Sequence, residues 1–308
     1  MTKHEIKDVA ASVHRRLLNK AREEERPFNE LLQYYALERF LYRLSKSPHA
    51  SDFVLKGALM MLTWEAPLSR PSSDIDVLGL VKNDQSHVVS IIGDICGVDV
   101  EPDGIDFDSQ NITAQTITDA AEYRGLRIKV PARPGSARVV VQIDIGFGDP
   151  VVPDAQIFEY PVLLDLPAPR LKGYSRESFI AEKLESIARF GMLNSRLKDF
   201  YDIWLLAERQ DFEGEVLSAA VKATFSNRDR AVDVRMLERI KAFASDTTKG
   251  TQWHAFCEQN RLKPKLPTLN ETARLIIRFI EPVVRAVSQD EYCRGNWPAG
   301  GPWKSQDS

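Results

Sequence analysis

The sequence encodes an α+β protein, a mixed β-sheet flanked by helices, and three observations predict it. Apolar residues recur at three- and four-residue steps near the N-terminus. Short β-type runs bounded by Gly and Pro fill the middle, and helical periodicity returns after Ser175. At 308 residues, the chain is long enough for two or three packed units.

In the first fifty residues, Leu17, Leu18 and Ala21, then Phe28, Leu31, Leu32, Tyr35, Leu37, Phe40, Leu41 and Leu44, mark two helices divided at Arg26-Pro27. Phe53-Val54-Leu55-Lys56 reads as a short buried strand ending at Gly57, with a brief helical run over 58–64. Pro67 and Pro71 bracket a loop, and Asp74-Ile75-Asp76-Val77-Leu78 is a second strand. A helix is expected over 85–96, then strands at 112–116, 123–130 and 138–145. Pro-Ala-Arg-Pro-Gly-Ser between the last two is a turn by composition. A further strand is expected at 160–164, ahead of a Pro167/Pro169 linker. Ser175 is the expected N-cap of a helix that Gly191 stops. Further helices are expected at 196–208, 213–225, 233–244, 251–260 and 268–288. The last twenty residues are polar and rich in Gly and Pro, which predicts a mobile tail despite Trp297 and Trp303. The expected boundaries are 1–50 for an N-terminal helical segment, 51–170 for the core sheet, 171–290 for a C-terminal helical domain and 291–308 for the tail.

Composition narrows the function classes. A hydrophobic content of 43% and charged content of 28% are those of a soluble globular protein. The net charge of −3 exerts no global pull on nucleic acid, so any such binding needs a local basic patch. No apolar run approaches the roughly 20 residues that span a bilayer. The N-terminal stretch lacks the apolar core of a secretory signal. Cys96, Cys257 and Cys293 are far apart and lack metal-type spacing, which argues against a disulfide framework. A cytoplasmic location is expected.

The chemistry points to carboxylates. On a strand, Asp74 and Asp76 project to the same side, where like charges repel unless a cation lies between them. Such a pair is also common on solvated edge strands. Asp144 strengthens the metal reading. Val139, Val141, Ile143 and Ile145 form one apolar face of its strand, leaving Asp144 with Val140 and Gln142 on the other. Three hard-oxygen ligands suit Mg²⁺ and two-metal phosphoryl transfer, with Asp144 also a proton acceptor. Gly57 before a short helix offers backbone N–H groups to phosphate, or simply makes a tight turn. Lys56 either reaches a triphosphate or is surface charge. Lys183 sits on an apolar helical stripe, where a lysine can snorkel to solvent. Asp199 and Asp202 share a helical face, with Lys198 four residues before Asp202.

With these residues assembled, the chain resembles the AbiEii/AbiGii toxin family, which includes the MenT toxins and has a polymerase-beta-like nucleotidyltransferase fold. The resemblance runs from about Tyr35 to Glu208. It rests on Val54-Leu55-Lys56-Gly57-Ala58, Arg70-Pro71-Ser72-Ser73-Asp74-Ile75-Asp76, Gln142-Ile143-Asp144, and Lys183 followed by Arg196-Leu197-Lys198-Asp199. The resemblance implies a metal site at Asp74, Asp76 and Asp144, with Ser72 as the motif hydroxyl. It makes Lys183 a nucleotide-phosphate contact and Asp199 the late-motif carboxylate, Asp202 being the other choice. Lys56, Gly57, Ala58 and Arg70 are further nucleotide-binding candidates. Ala58 departs from the family's usual Gly or Ser and leaves only backbone N–H groups for phosphate there. The resemblance further implies a toxin of a toxin–antitoxin or abortive-infection system. It would use NTP and a pair of Mg²⁺ ions to modify an RNA acceptor, the 3′ end of tRNA, and would have an antitoxin partner. Arg70, Arg124, Arg127, Lys129, Arg133 and Arg138 either hold the RNA backbone or form a solvated hairpin face. The competing readings are an NTP-dependent phosphotransferase acting on a protein or small molecule, and a non-catalytic nucleotide-binding module.

Overall fold

The structure, a computed structural model, describes residues 8–64, 72–119, 123–191, 197–262 and 266–305. The chain divides into two compact units. The first comprises Met1–Glu65, Pro71–Gly148 and Gln156–Gly173, and the second Ala66–Arg70, Asp149–Ala155 and Tyr174–Ser308. The first is a mixed sheet with helices and the second is mainly helical, so the expected α+β architecture, a mixed sheet flanked by helices with further helices toward the C-terminus, is present.

In the first unit, helices α1 (Val9–Glu23) and α2 (Phe28–Lys46) are separated at Arg26-Pro27, as Pro chemistry dictates. Asp8 caps α1 by accepting the Ala11 N–H at 2.8 Å. Strands β1 (Phe53–Lys56) and β2 (Asp74–Gly79) flank the short helix α3 (Met60–Thr63), and α4 spans Gln85–Cys96. Strands β3 (Ile105–Phe107), β4 (Thr113–Asp119), β5 (Tyr123–Pro134), β6 (Val139–Phe147), β7 (Gln156–Glu159) and β8 (Arg170–Gly173) complete the sheet. Its order is β3-β5-β6-β2-β1-β8-β7, with β4 also paired to β5. The β2–β6 and β1–β8 pairs are parallel and the others antiparallel. Ile75, Val77, Ile128, Val130, Val141, Ile143 and Ile145 alternate along the central strands and are buried, and α2 contacts β5, β6 and β8.

Three sequence expectations shift here. β5 runs through Pro134, so most of the expected proline-rich turn is strand, extended by its pairing with β3. The strand expected at 160–164 lies earlier, at β7. The supposed Pro167/Pro169 linker leads directly into β8, whose partners β1 and β7 supply pairing that local composition does not reveal.

The second unit contains α5 (Arg176–Phe190), α6 (Leu197–Arg209), β9 (Phe212–Glu213), α7 (Gly214–Asn227), α8 (Arg235–Ser245), α9 (Thr247–Gln259), α10 (Leu269–Ser288) and β10 (Asn296–Trp297). Ser175 caps α5 by accepting the Ser178 N–H, and Gly191 ends it with φ of 48°. Thr268 and Glu271 form a capping box on α10, whose buried stripe (Leu269, Ala273, Ile276, Ile280, Val283, Val287) packs on α6, α7, α8 and α9. The C-terminal stretch is packed over its described residues, to Ser305, contrary to the expectation of a mobile tail. β10 pairs with β9, Trp297 is 0% exposed, and its indole N–H donates to the Ala207 carbonyl at 2.7 Å. Trp303 stacks on Phe279 and donates to its carbonyl at 3.0 Å. Aromatic burial outweighs the local Gly and Pro content.

Trp297→Ala is accordingly expected to destabilise the second unit by about 3–5 kcal/mol, read by chemical denaturation. In α2, Glu38 is buried beside Arg39, 2.7 Å from its guanidinium, and accepts the Leu163 N–H at 2.6 Å. Burial pushes the Glu38 carboxyl from 4.5 up to about 7, against the pull of Arg39. Between these values the folded chain holds a proton that the unfolded chain releases. This contribution to stability is therefore full below pH 4.5 and lost as pH rises through 7. Glu38→Gln is expected to flatten the fall in melting temperature between pH 4.5 and about pH 7.

Candidate metal and nucleotide site

Sheet register builds the site. Lys56 on β1 stands opposite Asp76 on β2, Asp76 beside Asp144 on β6, and Asp144 opposite Arg127 on β5. Paired residues face the same side of a sheet, so one row across four strands reads cation, anion, anion, cation. Asp74 lies two residues from Asp76 on the same face, in register with Gln142. All three aspartates are half-buried, and each offers a ligand oxygen within 4.8 Å of the others. Mg²⁺ binds oxygen at about 2.1 Å, so opposite ligands sit about 4.2 Å apart. The three oxygens lie within 4.8 Å of one another, and their all-oxygen donor set fits a divalent cation. Among the described residues, no other group of three His, Cys, Asp or Glu does so.

Local contacts hold these residues. The Ser72 hydroxyl donates to Asp74 Oδ1 at 3.2 Å, and the Ser72 N–H donates to the Tyr34 hydroxyl at 2.8 Å. The Gln33 amide on α2 donates to the Ser73 and Val140 carbonyls at 3.3 and 2.9 Å, joining the beginnings of β2 and β6. Gly57 has φ of 68°, and a Cβ there would lie 2.1 Å from Asp76 Oδ2. The residue after β1 must therefore be glycine so that the Asp76 carboxylate can lie against the backbone. Ala58 is buried.

By sequence, Arg127 belongs with the basic hairpin residues offered to RNA. The structure instead places its guanidinium on Asp144, with Nε donating to Oδ1 at 2.8 Å and Nη2 to Oδ2 at 2.7 Å. This bond pushes Arg127 further toward its charged form. Partial burial opposes the shift, while the charges of Asp144, Asp74 and Asp76 support it. The pair is not sealed, since the Arg127 and Asp144 side chains remain 32% and 17% exposed. The alternation that puts Arg127 on the carboxylate face was legible, but its partner required the β5–β6 register. Lys129 and Arg133 occupy the same face of β5 by alternation and are exposed, as is Arg138. Arg70 and the side chain of Arg124 lie outside the described residues.

In the second unit, Lys183 on α5 meets two buried carboxylates of α6, Asp199 at 3.0 Å and Asp202 at 2.7 Å. Its ammonium also lies 4.5 Å from the Phe179 ring, and the Ser186 hydroxyl donates to Asp199 at 3.3 Å. With only 12% of the side chain exposed, Lys183 is an interior cation rather than a snorkelling one. Asp202 pairs with this lysine, and Lys198 is exposed. Both Asp199 and Asp202, the two candidates for the late-motif carboxylate, therefore contact Lys183.

Comparison with solved structures finds likeness to JHP933 from Helicobacter pylori, at 15% identity over 82% of this chain and 90% of that one, with a TM-score of 0.45. An H. pylori protein assigned as a nucleotidyltransferase is similar at 16% identity, covering 85% of this chain and 96% of that one, with a TM-score of 0.46. Among curated proteins no match was found. No described helix is long and apolar enough to cross a membrane. The family model of the nucleotidyl transferase AbiEii toxin of type IV toxin–antitoxin systems matches residues 39–274, most of the chain. The chain belongs to the AbiEii nucleotidyl transferase toxin family.

Proposed function

We propose that this toxin transfers a nucleotidyl group from an NTP to an RNA acceptor, the 3′ end of tRNA, and so blocks translation. The observation that carries the reading is the meeting of Asp74, Asp76 and Asp144 within 4.8 Å on one sheet face. These three residues would hold two Mg²⁺ ions, which when bound supply charge stabilisation to the attacking and leaving oxygens of phosphoryl transfer. Asp144 accepts the proton of the acceptor hydroxyl, because each carboxylate oxygen retains a second lone pair beyond its bond to Arg127. Ser72 orients Asp74. Lys56, Gly57 and Ala58 line the nucleotide side, Ala58 through its backbone, and the family resemblance adds Arg70 as a nucleotide-binding residue. Lys183 contacts nucleotide phosphate, with Asp199 and Asp202 fixing its ammonium. Lys129, Arg133 and Arg138 offer the exposed cations that an RNA backbone needs.

The family's place in type IV toxin–antitoxin systems implies an antitoxin partner and an NTP substrate. We assign the chain to the MenT-like branch, acting in the cytoplasm in abortive infection.

Incubation of the protein with tRNA and labelled NTP tests the reaction. The α label is expected to enter RNA, and Asp76→Ala is expected to abolish both incorporation and growth inhibition. Transfer of the γ label alone would identify a phosphotransferase. A fully toxic Asp76→Ala chain would show that toxicity needs no metal site. Lys183→Met is expected to stop turnover and also to cost about 3–5 kcal/mol of stability, because it strands two buried carboxylates. Adding Asp199→Asn and Asp202→Asn is expected to restore much of the melting temperature without restoring turnover.

A further inference from the structure

Arg127 occupies both oxygens of Asp144 in the row where two carboxylates stand abreast. Like charges directly opposite one another on a sheet destabilise it, and a third carboxylate, Asp74, lies within 4.8 Å. Such a cluster needs positive charge whether or not a metal is bound. A guanidinium suits that need, since its planar fork matches a carboxylate bidentately and never loses its proton. It also lies where it opposes the metal. A divalent ion about 2.1 Å from an Asp144 oxygen would stand within about 5 Å of a guanidinium nitrogen bonded to that same oxygen, and the two would repel.

We infer that Arg127 is the built-in counter-ion of the carboxylate cluster, holding it assembled without metal and competing with the incoming divalent cation for Asp144. The inference rests on reading Asp74, Asp76 and Asp144 as metal ligands. Arg127 is a positioning residue that acts through Asp144. It lets the sheet fold with three carboxylates together and sets the metal affinity lower than the bare cluster would give. Loading then draws on the extra negative charge that arrives with a nucleotide triphosphate.

The test pairs thermal melting in EDTA with calorimetric titration of Mn²⁺ into the full chain, for the wild type, Arg127→Gln and Arg127→Lys. Arg127→Gln is expected to melt at a lower temperature in EDTA yet bind Mn²⁺ about tenfold more tightly, as expected for removal of a charge-assisted bidentate partner. Arg127→Lys keeps the charge without the fork, should fall between the two, and supplies a folded comparison if Arg127→Gln is too unstable. Mn²⁺ binding that is unchanged or weakened in these variants, with the wild type binding, overturns the inference and leaves the metal site standing. Failure of the wild type and both variants to bind Mn²⁺, both alone and with a non-hydrolysable NTP present, overturns the metal site and the inference together.

Discussion

The pairing of β2 with β6 sets Asp76 directly beside Asp144, and the remaining features of the first unit answer to that placement. Parallel neighbours lie about 4.8 Å apart, a separation at which two carboxylates repel. The sheet meets this cost with cations on both flanks, Lys56 from β1 and Arg127 from β5. A slip of one residue would turn Asp76 toward the apolar face that Ile75, Val77, Ile143 and Ile145 share, so the hydrophobic pattern that folds the sheet also fixes the site. Gln33 joins the two strands at their beginnings, and Gly57 leaves room for the Asp76 side chain.

Much of this was legible in the sequence. Alternation alone put Asp74 with Asp76, and Asp144 opposite an apolar face. Proline at residue 27, serine at 175 and glycine at 191 marked helix ends by their backbone chemistry. What stayed hidden was whatever depends on a partner distant in sequence. β8 and β3 are short strands that exist because their neighbours accept them, and no local pattern announces them. Arg127 looked like one of several basic residues on a hairpin until the register paired it with Asp144. Trp297 lies in a stretch whose Gly and Pro content suggested mobility, yet it is held by Ala207, Phe279 and Trp303.

Buried charge was the hardest feature to judge from sequence. Lys183 sits on a stripe where a lysine usually reaches solvent, but two carboxylates one helix away hold it inside. Glu38 is absent from the apolar repeat of its helix, yet it is buried, and there burial outweighs its ion pair with Arg39. In both cases helical spacing shows which residues share a face. The cost of burial depends on what packs against that face, and this is known only from the fold.

The central claim is that three aspartates from two strands share divalent cations. Crystals grown with Mn²⁺ and a non-hydrolysable NTP test it most directly through the anomalous signal. Manganese peaks are predicted about 2.1–2.2 Å from oxygens of Asp74, Asp76 and Asp144. A nucleotide bound with no manganese at these carboxylates, or with manganese held only elsewhere, would contradict it.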